Sequence, residues 1–267
     1  MVLKKKAGSV YAFTLSEVLV ALSIIGIIAS ITIPGILANA ERSKFDNLFK
    51  KSYSNISEAI KRVTTNNGNV PLACYYYVEN PYGPTKCVEY NSNGDCTKYT
   101  LLDGTPKPDD YNGNFTECSR FYTELKKNLS IVKQCAEGRS ITDGCLVQYK
   151  GNDQVKLETN QLTNSMYTEL DAKKETAGCS GFQTEKYASK ETIVLNNGAT
   201  LIPYTNKFNS APIFAVDVNG IKKPNKAGYD LYFLAIKGDK GVMNLYHSPC
   251  GYVEQGGKTA KEVLLGY

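Results

Sequence analysis

A long run of apolar residues lies near the start of the chain. Between positions 13 and 33 the sequence reads FTLSEVLVALSIIGIIASITI, with only a few polar residues in it. An α-helix of about 20 residues rises roughly 30 Å, which matches the hydrocarbon thickness of a bilayer. Three lysines, Lys4, Lys5 and Lys6, precede the run and are expected to stay on the cytoplasmic side. The pattern predicts one membrane-spanning helix, with the rest of the chain outside.

A helical pattern continues beyond Pro34. Residues 43–63 again place apolar side chains near one face, while their lysines predict a solvated opposite face. The apolar positions are Phe45, Leu48, Phe49, Ile56, Ile60 and Val63. A proline inside a helix removes one backbone hydrogen bond and favours a kink. Pro34 therefore either bends a continuous helix, with Gly26 and Gly35 nearby, or ends the spanning segment.

The middle of the chain has little periodicity. From residue 66 to about residue 116 it is rich in Tyr, Asn, Gly, Pro and Cys, which predicts a long loop region held by disulfides, with short structured pieces. A tyrosine run at residues 75–77 either covers a small core or forms an adhesive surface. Residues 119–133 differ, because Phe121, Leu125 and Val132 recur at helical spacing.

From residue 191 onward the pattern predicts short strands separated by turns. The segments ETIVL and ATLIPY flank Asn196-Asn197-Gly198, and IFAVDV leads into Asn219-Gly220. The segments YDLYFLAIK and VMNLYH follow. Apolar and polar residues that alternate around Asn-Gly turns are typical of hairpins. The C-terminal third is therefore predicted to be an antiparallel sheet, and the fold class is α+β.

The charge and the cysteines narrow the possible functions. The net charge of +5 falls toward neutrality once Lys4, Lys5 and Lys6 are set aside, so nucleic-acid binding is not expected. The eight cysteines all lie beyond the apolar run: Cys74, Cys87, Cys96, Cys118, Cys135, Cys145, Cys179 and Cys250. An even number in an exported region predicts disulfides.

The pairing of these cysteines is not readable, since eight cysteines allow 105 connectivities. Cys135 and Cys145 flank a polar loop, so a local bridge between them is plausible. A zinc site is the alternative to disulfides. It is disfavoured because no two cysteines have C-x₂-C spacing and His247 is the only histidine.

The N-terminal segment has two ordinary interpretations. In one it is a secretory signal peptide, cleaved after Ala38-Asn39-Ala40, but its apolar stretch is longer than usual for a signal peptide. In the other it is a plain membrane anchor. Neither explains Glu17, because a carboxylate within the hydrocarbon region is costly unless it finds a partner.

A third interpretation is based on Phe13, Thr14, Leu15, Glu17 and Pro34. In these residues the segment resembles the N-terminal region of type IV pilins and type II secretion pseudopilins. The resemblance implies that a prepilin peptidase cuts between Ala12 and Phe13 and that the new amine of Phe13 is N-methylated. The family usually has glycine where this chain has Ala12. The resemblance also implies that Glu17 pairs with the Phe13 amine of a neighbouring subunit in a filament.

The resemblance further implies an architecture and a set of partners. The chain would comprise a leader (1–12), a spanning helix (13–34), its amphipathic continuation (35–65), a cysteine-rich region (66–190) and a sheet (191–267), with the helix packed on the sheet. Its partners would be related pilin subunits, the prepilin peptidase, an assembly ATPase, a platform membrane protein and the membrane. It would reside in a bacterial cytoplasmic membrane with its head outside, and in an extracellular filament after assembly.

Three filament functions stay open: pilus subunit, secretion pseudopilin and DNA-uptake pilin. A membrane-anchored or secreted adhesion protein is the alternative, and a tethered enzyme is a further one. His247 and Cys250 would be the only Cys/His pair for nucleophilic chemistry, and no G-x-S-x-G, phosphate loop or H-E-x-x-H occurs. The sequence therefore predicts a protein that is not an enzyme.

The segment DVNGIKKPNKAGYD resembles a C-terminal loop of several pseudopilin-like heads, some of which bind calcium. Asp217, Asn219 and Asp230 would supply the hard oxygen ligands that calcium prefers. A simple turn at Asn219-Gly220 explains the same residues equally well. The segment is therefore expected to be either a calcium site or an ordinary turn.

Overall fold

The computed structural model describes residues 14–66, 85–92, 96–108, 118–184, 186–203, 213–239, 242–248 and 250–266. The leader and Phe13 lie outside these residues. The chain divides into two compact units, Met1–Lys44 and Phe45–Tyr267. We call the second unit the head and describe each unit separately.

The first unit consists, in its described part, of the start of helix α1, Leu15–Asn66. The helix is long and apolar enough to cross a membrane, and most of its side chains up to Leu37 are exposed. Hydroxyl groups inside the apolar run bond to the helix itself, as when Ser23 Oγ donates to the carbonyl of Leu19 at 2.8 Å. The helix continues through Pro34 and does not end there.

The head contains the remaining elements, which are strands and short helices. They are β1 Thr85–Tyr90, β2 Cys96–Leu101, α2 Cys118–Asn128, β3 Ile131–Cys135, α3 Asn152–Gln161, α4 Glu169–Glu175, β4 Thr192–Leu195, β5 Thr200–Pro203, β6 Ile213–Asp217, β7 Leu231–Asp239, β8 Val242–His247 and α5 Ala260–Leu265. Two 3-10 helices, Ala177–Phe182 and Tyr187–Ser189, precede β4.

Six strands form one antiparallel sheet in the order β3-β4-β5-β6-β7-β8. Consecutive strands are neighbours throughout, so the sheet is a simple meander. In its centre Leu201 of β5 pairs with Val216 of β6, which pairs with Tyr232 of β7. Strands β1 and β2 form a separate two-stranded sheet. The predicted α+β class, with a long N-terminal helix and a C-terminal antiparallel sheet, is confirmed.

The six-stranded sheet has two separate apolar clusters. The larger one joins the second half of α1 to the sheet, and there the ring of Phe49 stacks on that of Tyr232 at 4.2 Å. The other cluster contains Tyr149, Phe182 and Phe233 and draws on the region between β3 and β4. Every residue of β6 is consequently buried, whereas the sequence pattern predicted alternating apolar and polar positions.

The predicted helix at residues 119–133 is shorter in the structure. Helix α2 ends at Asn128, and the chain then enters β3, whose Ile131 pairs with Leu195 of β4. Val132 fits the helical spacing but lies in this edge strand with 64% of its surface exposed. Pairing with β4 outweighs the local periodicity, because tertiary contacts override weak helical propensity.

Two disulfides lie in the described part of the head. One joins Cys135 to Cys145, and the other joins Cys179 to Cys250. Cys87 is also disulfide-bonded, and none of the described cysteines is free. Cys74, Cys96 and Cys118, which were also predicted to form disulfides, have side chains outside the described residues.

Candidate functional site

The start of α1 places Glu17 beside Thr14. Both the amide N–H and the Oγ of Thr14 donate to Glu17 Oε2, at 2.8 and 2.7 Å. The amide of Glu17 donates in return to Thr14 Oγ at 3.3 Å. This reciprocal pattern is a capping box, which satisfies amide groups that have no partner within the helix. The carboxylate that the sequence singled out is thus held at the N-terminus of the helix.

A second candidate site lies at the junction of β6 and β7. Asp217 ends β6, Asp230 directly precedes β7, and the loop between them includes Asn219. Asp217 Oδ1 accepts from the amide of Asn219 at 3.0 Å. Asp230 accepts from the amides of Asn225 and Lys226, both at 2.8 Å. The structure therefore brings the three predicted oxygen-bearing residues into one loop, where both carboxyl groups are completely buried.

Burial determines the protonation of this pair. It raises the pKa of Asp217 to about 8, and the negative charge of Asp230 adds to the rise. Burial also raises the pKa of Asp230, although the amides of Lys226 and Asn225 oppose that shift. Two buried carboxyl groups this close resist carrying two negative charges without a cation or a proton to compensate them.

Tyr149 contributes to this site and was not predicted from the sequence. Its hydroxyl donates to Asp217 Oδ2 at 2.7 Å, across a large separation in the chain. The backbone around it is fixed by Tyr187, whose hydroxyl donates to the carbonyl of Tyr149 at 3.1 Å. Tyr149 lies in a stretch without regular secondary structure, and no motif marks it, so only the folded chain identifies its role.

The donor set at this loop is compatible with a hard cation. Two carboxylates and an amide carbonyl are the oxygen ligands that calcium prefers. Asn219 Oδ1 is buried and has no hydrogen-bond partner within the described chain. The described residues contain no cluster of three or more His, Cys, Asp or Glu that would hold a metal. Backbone carbonyls or water would therefore have to complete the coordination.

The Cys/His pair considered from the sequence is not available as a nucleophilic site. Cys250 is bonded to Cys179, so it has no thiolate to attack a substrate. It is buried, and its carbonyl accepts a hydrogen bond from Asn152 Nδ2 at 3.2 Å. His247 ends β8 and is exposed. Cys250 thus has a structural role in the head.

Comparison with known proteins identifies the N-terminal segment. Residues 9–33 match the family described as the prokaryotic N-terminal methylation motif. No curated protein and no solved structure matches the chain. The match covers the prepilin-type cleavage and methylation segment of type IV pilin-like proteins. The match supports the interpretation of this chain as a type IV pilin-like precursor that prepilin peptidase processes. It also suggests a structural rather than an enzymatic protein.

Proposed function

We propose that this protein is a structural subunit of a type IV pilus-like or type II secretion filament. The observation that carries the proposal is the match of residues 9–33 to the methylation motif, at the start of a helix whose first half exposes apolar side chains. Such a helix is stable in a bilayer or in the core of a helical assembly, and it would be unfavourable in water.

The proposed assembly begins with cleavage between Ala12 and Phe13. The N-methylated amine of Phe13 then pairs with Glu17 of a neighbouring subunit in a core of low dielectric constant. Removing one partner of a buried ion pair typically costs about 3–5 kcal/mol, so Glu17 sets the register of each incoming subunit. Pro34 lies in the same segment, where a proline allows the helix to bend during packing.

The proposed assembly implies a location and several partners for this protein. The subunit resides in a bacterial cytoplasmic membrane with its head outside, and it passes into an extracellular filament. A prepilin peptidase cleaves it, and an assembly ATPase with a platform membrane protein supplies the energy. Scoring piliation, secretion and DNA uptake separately after gene deletion assigns the machine, and normal results in all three would contradict the filament role.

N-terminal mass spectrometry of the protein from bacterial membranes tests the processing step. We expect a mature chain that begins with N-methylated Phe13. A terminus at Glu41 would instead mean ordinary signal-peptide cleavage, and an intact Met1 would mean an unprocessed anchor. Either result would refute the filament proposal.

The substitution Glu17→Gln tests assembly separately from processing. We expect it to leave cleavage intact and to reduce sheared filaments strongly, because the neutral amide cannot pair with the Phe13 amine. Glu41→Gln is the matched control, since Glu41 is an exposed acidic residue further along the same helix. Equal filament yields from both variants would rule out the proposed role of Glu17.

We further propose that Asp217, Asn219 and Asp230 bind calcium. The specific observation that favours this is Asn219 Oδ1, which is buried without a partner beside two buried carboxyl groups. Ligand binding stabilises a fold by about 2.7 kcal/mol when the ligand is at 100 times its Kd. Calcium should therefore raise the melting temperature of the chelator-treated protein, and magnesium should do so less.

A test variant and a control variant examine calcium binding by this loop. Asp217→Asn should abolish the calcium-dependent rise in melting temperature, whereas Asp103→Asn, at an exposed residue outside the loop, should retain it. Titration calorimetry that detects no heat of calcium binding to the wild-type protein would leave the loop as a turn held by hydrogen bonds.

A further inference from the structure

The loop between β6 and β7 holds an apolar side chain out in solvent. Ile221 is 55% exposed, and it is followed by Lys222 and Lys223, which are exposed as well. We call these three residues the basic knob. Neither lysine forms an ion pair with any residue that the structure describes. The knob thus offers one apolar group and two uncompensated positive charges.

The basic knob is held in place by the loop on both sides. Asn219 Nδ2 donates to the carbonyl of Lys223 at 3.0 Å. On the far side, Asp230 accepts from the amides of Asn225 and Lys226. A loop fixed in this way loses little conformational entropy when it binds a partner, so even a small contact can be effective.

A groove of complementary character adjoins the far end of the same loop, because the amide of Ala227 donates to Glu254 Oε1, in the groove lining, at 3.2 Å. It has a volume of about 390 Å³ and is lined in part by Val155, Glu158, Leu162 and Glu254. We call it the acidic groove. Leu162, one of its lining residues, is 71% exposed. The groove therefore combines an apolar wall with two carboxylates.

The charge of the acidic groove is only partly balanced within the chain. Lys150 Nζ lies 2.7 Å from a carboxylate oxygen of Glu158 and 3.5 Å from one of Glu254. One lysine thus serves two carboxylates, which leaves an excess negative charge at the groove. The knob and the groove are complementary both in apolar character and in sign of charge.

We propose that the basic knob of one copy of this chain occupies the acidic groove of a neighbouring copy in the filament. Ile221 then packs against Leu162, while Lys222 and Lys223 approach Glu158 and Glu254. This inference rests on the proposed filament function. Knob and groove are formed by different residues, so one copy can offer its knob to one neighbour and its groove to another, and we propose that the contact repeats in this way along a filament.

The small size of the proposed contact is consistent with a role within a filament. A knob of three residues buries less area than a stable interface between soluble proteins requires. In a filament the N-terminal helices already hold neighbouring heads together at high effective concentration, so a weak contact can order them without forming dimers in solution. The contact would therefore appear in filaments and not in dispersed subunits.

Cross-linking between introduced cysteines tests the contact. Ile221→Cys and Leu162→Cys are combined in one chain, and sheared filaments are treated with a short bismaleimide. We expect a ladder of covalent multimers from the double variant and none from either single variant. Filaments of the double variant that yield no ladder would overturn the contact, as would products that stop at dimers. A ladder from detergent-dispersed subunits would also overturn it, because the contact would not need the filament.

Charge exchange gives an independent readout. Changing Lys222 and Lys223 to glutamate should lower the yield of sheared filaments several-fold, and adding Glu158→Lys to that variant should restore much of it. Lys261→Glu, at an exposed position of α5, is the control and should have no effect. The urea midpoint of each variant shows whether its head is folded.

The outcomes separate this inference from the filament proposal. If the wild-type chain forms no filament, the proposed function fails and this contact fails with it. If the wild-type chain forms filaments but charge reversal at Lys222 and Lys223 in a folded head leaves their yield unchanged, only the knob-and-groove contact is refuted.

Discussion

Asp217 makes the stability of the head depend on pH. Burial raises its pKa in the folded state to about 8, whereas an unfolded aspartate titrates near pH 3.9. The folded state therefore binds the proton more tightly, and the contribution of Asp217 is fully present below about pH 4. As the pH rises from about 4 to about 8 without calcium, the free energy of unfolding should fall by at most ~1.4 kcal/mol per pH unit.

Urea unfolding at a series of pH values, with a chelator present, measures this fall. Asp217→Asn should flatten the profile, because an amide does not titrate. Asp103→Asn is again the control, since Asp103 is fully exposed and does not belong to the loop. A wild-type profile that coincides in slope with that of Asp217→Asn across this interval would show that the buried pair does not retain a proton.

A substitution of Tyr149 tests the hydrogen bonds around Asp217 without removing a carboxyl group. Tyr149→Phe removes the hydroxyl that donates to Asp217 Oδ2 at 2.7 Å and leaves a buried acceptor with one donor fewer. Leaving a buried polar group unsatisfied typically costs about 1–3 kcal/mol, so the free energy of unfolding should fall by that amount. Tyr252→Phe, at a half-buried tyrosine outside this network, should change it little. Equal urea midpoints for the two variants would contradict this role of Tyr149.

The two disulfides whose four cysteines the structure describes stabilise different lengths of chain. Cys179–Cys250 spans 71 residues of sequence and Cys135–Cys145 spans 10. Because a longer closed loop restricts the unfolded chain more, removing the first bridge should cost about 4 kcal/mol and removing the second about 3 kcal/mol. Urea unfolding of the two paired Cys→Ala variants measures the difference. A larger loss for the short bridge would mean that native packing, more than loop length, sets its contribution.

Most of the helices and strands that carry their own local pattern can be predicted from the sequence. Strands β4 to β8 were predicted because turn residues, including Asn197-Gly198 and Asn219-Gly220, separate short apolar runs, and α1 because its apolar spacing is sustained. Strand β3 was missed, since its strand character comes only from pairing with β4. Helix α5 was also missed, although its capping box of Thr259 and Glu262 is visible as a T-x-x-E pattern.

The candidate sites also differ in how far the sequence predicts them. Glu17 was singled out because it is a charged residue in an apolar run, and Asp217 and Asp230 because their segment resembles a loop of pseudopilin-like heads. Tyr149 and the acidic groove were not identified, since both arise where separate segments meet only after folding. Charged residues in an unusual local context can be recognised from the sequence, whereas the residues that contact them after folding depend on tertiary structure.

For the whole molecule, the boundary between the two units falls within α1, between Lys44 and Phe45. Phe45, Phe49, Ile56 and Val63 are buried in the head, whereas the apolar side chains from Leu15 to Leu37 are mostly exposed. A variant that begins at residue 45 should therefore remain folded and become soluble without detergent, because it retains the helical face that packs on the sheet.

Removal of the rest of α1 should have the opposite effect. A variant that begins at residue 67 loses all the α1 side chains of the larger apolar cluster, Phe45, Phe49 and Ile56 among them, and truncating even one buried Phe typically costs about 3–5 kcal/mol. The chain has no tryptophan, so urea unfolding is followed by circular dichroism. We expect the first variant to match the urea midpoint of the full chain in mild detergent, and the second to show no cooperative transition. A folded second variant would mean that the sheet and the cysteine-rich region form a stable core without α1, whose role would then be confined to the membrane and the filament.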